Sequence, residues 1–410
     1  VSAVARAPWW LKVLGVYAAA RIVSAVILMA VARTQEANLW TPAAPSYAQY
    51  TGLMWDASWY RSIAETGYPG ELPRGADGLV QQNPWAFFPL FPALCRLLMQ
   101  VTGAPWEVVA PTLALVLGAA AMLVVHRTVA AALARPGGPG PAVPGGTGAG
   151  VVQTLPLATV ALLSVWASAP VLQVGYTESL ALLLLAATLW CLVVRRYGAA
   201  LPLVLALGLT RAVALPVAVA VVAHLVVRWR QARAGAAWPR PERVGGAVLL
   251  LAALASGVLW PAVCGLVTGE LDAYGQTQAA WRGRDEVVPL LPWLDVARWL
   301  LGSWGPVVLV LLVGVAALAV ATRPMARLGP ELQGWSAGYV AYLLLVVEPG
   351  TSLVRFSLLA WPVAGVLALV ALRSRLPRTA LAAMVVVGVL GQVAWVALLW
   401  RLVPPSGWPP

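Results

Sequence analysis

Residues 55–92 read WDASWYRSIAETGYPGELPRGADGLVQQNPWAFFPLFP, a polar segment that opens on an Asp between aromatics and closes in an aromatic, proline-rich run. It stands apart from a chain in which 61% of 410 residues are hydrophobic and 10% charged, whereas a soluble domain carries roughly 25% charged residues. The flanking apolar runs are long enough to cross a bilayer core of about 30 Å, so the sequence predicts an all-α polytopic membrane protein. Trp55, Trp59 and Tyr60 are amphipathic aromatics of the kind that settle at a membrane–water boundary, which sets Asp56 at headgroup depth. A carboxylate there is a candidate general base, because it can reach a hydroxyl group while partly sheltered from water. Residue type alone leaves a solvated loop acid as the alternative.

Upstream, the run over residues 10–32 is the first expected span, with no small-residue cleavage site behind it, and so reads as a retained helix. Arg21 lies in its middle, where an arginine costs about 2.5–3.5 kcal/mol on insertion scales. It must face protein or a water-filled cavity, as a structural pair or as a ligand group. Residues 33–105 then form a first large extracytoplasmic loop. Within it, FFPLFPALCRLLMQ is too short and too proline-broken for a span and is expected as an interfacial or re-entrant helix.

Downstream, spans are expected at residues 107–126, 155–172, 177–194, 244–267, 303–322, 334–347, 357–372 and 379–400. Residues 200–227 are apolar but broken by Thr210, Arg211 and Pro216, with basic clusters at both ends. Two half-length helices that dip in and return would place both clusters on one side. Counting them gives about 11 transmembrane helices in a single domain over 1–403. Residues 136–150 read as a flexible Gly/Pro-rich linker, 268–302 as a second extracytoplasmic loop and 404–410 as a tail.

The net charge of +12 does not point to nucleic acid, because the arginines fall in short clusters between apolar runs and form no basic stripe. Orientation explains them better: most basic residues fall on one side of this topology, which makes it cytoplasmic together with the amino terminus. Nearly all the acids share the other face with the 55–92 segment. Cys95, Cys191 and Cys264 are odd in number and widely spaced, and His126 and His224 are the only histidines, so neither a disulfide framework nor a metal site is indicated. One lysine, Lys12, among 27 basic residues suggests a GC-rich bacterial genome.

W-D-A-x-W-Y-x-x-I-A-x-x-G-Y followed by A-F-F-P-L-F-P resembles the signature of the PIG-V-type mannosyltransferases, polytopic enzymes of the GT-C class. Four further elements resemble that family in order. GYTES spans 175–179, and LTRAVAL surrounds Arg211 with Ala214 in place of a family glycine. AYGQTQAAWRG carries Gln278 and Trp281, and EPGTSLVRFSLLAWP carries Arg355.

The resemblance implies a GT-C-like fold and inverting transfer of mannose from polyprenyl-phosphate-mannose to a hydroxyl on the extracytoplasmic side of the cell membrane. The acceptor would be a glycolipid, lipoglycan or protein. No cofactor and no metal are implied. Asp56 would be the catalytic base, and Arg211 and Arg355 would bind the donor phosphate. The implied substrate-binding set is Trp55, Trp59, Tyr60, Arg61, Glu65, Tyr68, Tyr176, Glu178, Gln278 and Trp281. Plainer uses stand beside these roles: a helix cap for Glu178, a buried pair for Arg211, snorkelling for Arg355 and interfacial anchoring for Trp281. At the level of function the alternatives are a transporter of lipids or lipid-linked sugars, and a non-catalytic subunit of a cell-envelope glycan assembly complex.

Overall fold

An apolar run offers its backbone N–H and C=O groups no partners but each other, and the helix satisfies them all internally. The computed structural model describes residues 7–135 and 148–403 and is accordingly helical. Among the described residues no β-strand forms, and Arg74 and Val80 meet in an isolated antiparallel bridge. The chain begins with α1 (Trp9–Ala32), then a loop carrying α2 (Tyr47–Gly52), α3 (Asp56–Thr66) and α4 (Leu90–Thr102). Next come α5 (Trp106–Leu133), α6 (Gly148–Ser164), α7 (Glu178–Val193), α8 (Tyr197–Gly208), α9 (Val217–Arg233) and α10 (Arg240–Thr268). α11 (Ala273–Arg282) and α12 (Leu291–Leu301) follow, and the long apolar stretch begins at Leu291, inside the segment 268–302 expected as a loop. The chain ends with α13 (Gly305–Ala321), α14 (Arg323–Arg327), α15 (Pro330–Leu345), α16 (Ser352–Phe356), α17 (Pro362–Arg373) and α18 (Pro377–Trp395), closed by a π turn over Val396–Trp400.

Among the described residues five helical stretches are long and apolar enough to cross a membrane: α1, α5, α10, Leu291–Arg327 and Pro377–Trp400. This suits a membrane-embedded protein. The other expected spans are shorter. The one expected at 155–172 stops as a helix at Ser164, and a 3-10 turn at Ala169–Gln173 follows. Arg21 explains the stop, donating hydrogen bonds to the carbonyls of Ser164 and Ala169 that a longer helix would have used internally. Its role is therefore structural. The span expected at 357–372 is a bent pair, Ser352–Ala360 and Pro362–Arg373, turned by 69° at Pro362. α5 runs past the expected end at 126, with the Arg127 guanidinium 5.0 Å from the Trp9 ring. The expected linker 136–150 lies largely outside the described residues, its last positions belonging to α6, and the 404–410 tail lies wholly outside them.

α7 is the axis of the bundle. A helix that is apolar all round is buried, and nearly every side chain of α7 is inside, with α5 and α8 along it and α9 and α15 touching it. α9 packs closely on α15 because Gly334 and Gly338 admit it: a Cβ on Gly334 would fall 2.7 Å from Ala223 Cβ, and one on Gly338 would fall 2.8 Å from Val219 Cβ.

The broken segment is a hairpin of two helices, α8 and α9. Tyr197 at the start of α8 and Arg228 near the end of α9 both hydrogen-bond Glu242 of α10, at 3.3 and 2.5 Å. Tyr197 Oη also meets His224 Nε2 at 2.7 Å. The hairpin thus enters and leaves on one side, and its tip, residues 209–216, reaches the opposite end of α7. There the backbone N–H of Leu90 donates to the carbonyl of Leu209 at 3.0 Å, tying the tip to the loop between α1 and α5.

Candidate active site

The site is built at the end of α7 where the hairpin tip, the loop between α1 and α5 and the bend before α17 converge. α3 begins with Asp56, and the residue before it, Trp55, takes φ 57° and ψ −129°. A non-glycine residue in such a region costs about 1–3 kcal/mol and persists only where its surroundings hold it. Here the Trp55 indole N–H donates to the carbonyl of Trp400 at 2.7 Å, and its ring lies 5.2 Å from Trp40. The bend turns Asp56 inward at the positive end of α3. Its N–H donates to Tyr176 Oη at 3.1 Å, filling one of the bonds that a helix start leaves open.

Four charged side chains form a row. Arg355 Nη1 donates to Asp56 Oδ2 at 2.7 Å, and Arg355 Nε lies 3.3 Å from Glu178 Oε1. Arg211 Nη1 reaches the same Glu178 oxygen at 2.5 Å and also donates to Thr177 Oγ1 at 3.2 Å. The order is therefore Asp56, Arg355, Glu178, Arg211. Asp56 keeps 22% of its side chain exposed while Glu178 keeps 1%. Glu178 Oε2 has no hydrogen-bond partner among the described residues. Aromatic faces line the cations: Arg355 sits 4.8 Å from the Tyr176 ring, and Arg211 5.0 Å from that of Phe356.

An aromatic wall adjoins the row. Trp59, one turn along α3 from Asp56, stacks on Phe87 at 5.7 Å, and Trp281 meets both edge-on at 5.5 and 5.4 Å. The Trp281 indole nitrogen is buried without a hydrogen-bond partner among the described residues. Gln278, on the same helix α11, is half-buried. Tyr60 links wall to row, with its ring edge-on to Phe87 at 5.2 Å and its hydroxyl 3.4 Å from Thr177 Oγ1. Burial pushes the Tyr60 phenol up to about 12 and that of Tyr176 well above its usual value. Both are therefore neutral hydroxyls.

Asp56, Glu178, Arg211, Arg355, Tyr176, Trp59, Tyr60 and Trp281 are thus brought together. Arg61 and Glu65 instead pair with each other at 2.8 Å on the exposed side of α3. Tyr68 stacks on Trp85 at 4.6 Å and donates to the Phe87 carbonyl at 2.9 Å, supporting the wall from behind. Trp55 and Tyr60 do not offer their rings to solvent. Both are buried in protein, because their polar tips find Trp400 and Thr177 in place of water. Arg355 does not snorkel, since an acid on each side holds it inside. Glu178 opens α7, where a carboxylate suits the positive end of the helix, and also pairs with two guanidiniums.

Residues the sequence did not single out complete the site. Phe87 was visible in the aromatic run, Thr177 in GYTES and Phe356 beside Arg355, each as a neighbour of a flagged residue. Trp400 carried no signal. Among the described residues no group of three or more His, Cys, Asp or Glu side chains could hold a metal ion. No protein-family model and no curated protein matches this sequence.

Proposed function

We propose that this protein is a membrane glycosyltransferase of the GT-C type, moving mannose from polyprenyl-phosphate-mannose to a hydroxyl of a glycolipid or lipoglycan on the extracytoplasmic face. One observation carries the reading. Asp56 and Arg355, 299 positions apart, pair beside Glu178 and Arg211 and next to an aromatic wall, an arrangement that suits a sugar phosphate and an incoming hydroxyl.

The order of the row suggests a division of labour. In an inverting displacement the base and the leaving group lie on opposite faces of the sugar. Arg355 is already on the base, so it orients Asp56. Arg211, at the far end, uses only Nη1 for its bonds to Thr177 and Glu178. Its remaining N–H groups suit the donor phosphate. The acceptor oxygen bonds to the anomeric carbon, and its proton passes to Asp56. The bond from that carbon to the phosphate oxygen breaks with its electron pair on the phosphate. Charge thus leaves Asp56 and appears on the phosphate, and the arginines between them stabilise it where it develops. The wall of Trp59, Phe87 and Trp281 offers faces and edges on which a pyranose can stack.

The test is product formation by the purified protein in nanodiscs, given a radiolabelled short-chain polyprenyl-phosphate-mannose and a lipid extract of the host. A labelled glycolipid identified by mass spectrometry supports the reading. Donor that binds and is carried across the bilayer without any product formed would point instead to transport.

A further inference from the structure

We infer that the end of the last helix belongs to the framework of this site, with Trp400 as a positioning residue for Asp56. The inference rests on the proposed role of Asp56 as base. Trp400 touches both groups that fix the Asp56 backbone. Its carbonyl accepts the indole N–H of Trp55 at 2.7 Å, the contact that holds the positive-φ residue in place. Its ring lies 5.3 Å from Tyr176, whose hydroxyl accepts the Asp56 N–H. Its own indole N–H donates to the carbonyl of Tyr50 in α2 at 3.3 Å.

The segment is fastened on the other side as well. Leu402 and the Gln35 side chain exchange two hydrogen bonds, at 2.9 and 3.0 Å, and Gln35 is buried at the start of the loop between α1 and α5. The π turn gives the ring its direction. Trp395 and Trp400 are five positions apart yet lie 5.6 Å from each other, a spacing suited to i→i+5 geometry. The carboxy-terminal helix therefore ends as a clamp on the residue before the base.

Trp400→Ala, Trp400→Phe and Gln35→Leu, purified beside the native protein, test this by amide hydrogen exchange of peptides covering residues 50–60. Trp400→Ala keeps the carbonyl but removes the ring contacts with Tyr176 and Trp395 and the bond to Tyr50 that hold it in place. Exchange over those peptides is therefore expected to rise about tenfold or more in Trp400→Ala and Gln35→Leu, with peptides of α5 unchanged, and to stay near native in Trp400→Phe. In the transfer assay, kcat of the first two is expected to fall about 10- to 100-fold with donor KM within about twofold of native, the pattern of a misplaced catalytic group. Native exchange over 50–60 in folded Trp400→Ala, or native kcat, overturns the inference. If Trp400→Ala does not fold, Gln35→Leu carries the same two criteria. If the native protein transfers no sugar, the proposed function fails, while exchange still decides whether Trp400 holds Asp56.

Discussion

Asp56, Arg355, Glu178 and Arg211 carry charges that sum to zero, which is what makes the row tolerable inside the protein. Removing one partner of a buried pair costs about 3–5 kcal/mol, whereas removing both is often nearly neutral. Arg211→Met should therefore lower the thermal unfolding temperature in detergent, and adding Glu178→Leu should recover much of the loss without restoring transfer. A double variant no more stable than the single one would show that the two side chains are not coupled. These four residues were legible in the sequence because charge is expensive in an apolar chain and invites explanation. The roles of Trp55 and Tyr60 were not, because an amphipathic ring does not announce whether its polar tip meets water or a protein oxygen. Trp400 was still less legible: its contact with Trp55 uses a backbone carbonyl, which every residue possesses.

The elements that present these residues depend on close backbone approach. α9 lies on Gly334 and Gly338 of α15, and its amino-terminal end leads from the hairpin tip that carries Arg211. Gly334→Leu would force α9 outward, an overpacking of about 1–3 kcal/mol. It should reduce monodisperse yield and thermal stability, while Gly314→Leu, with open space at its Cβ position, should behave as native. Equal behaviour of the two would contradict the packing. The hairpin itself could be read from its basic flanks and its internal Thr-Arg and Pro. The early end of α6 could not, since it is imposed by Arg21 from another helix. The bend before α17 could not be read from 357–372, because a proline in the first turn of a helix such as Pro362 is well tolerated and does not by itself set an angle.

For the whole molecule, the apolar composition and the five long apolar helices agree on a membrane-embedded protein, and the polar ends of the bundle differ in kind. One end gathers the Asp56 row. The other holds Arg228 with Glu242 at 2.5 Å, and His224 and Arg135 with Glu331 at 2.5 and 2.6 Å. If the first end is extracytoplasmic, Asp77→Cys should react with a membrane-impermeant maleimide in intact cells and Arg230→Cys only after lysis. The three native cysteines are buried and give little background. The opposite labelling pattern would invert the topology.

The chemistry has its own decisive measurement, namely donor-titrated mannose transfer by native protein and by Asp56→Asn in nanodiscs. General-base catalysis contributes about 10²- to 10⁴-fold. If Asp56 takes the proton of the incoming hydroxyl, kcat falls by that order while donor KM and the folded state are kept. An Asp56→Asn protein that turns over as fast as the native one contradicts the assignment outright.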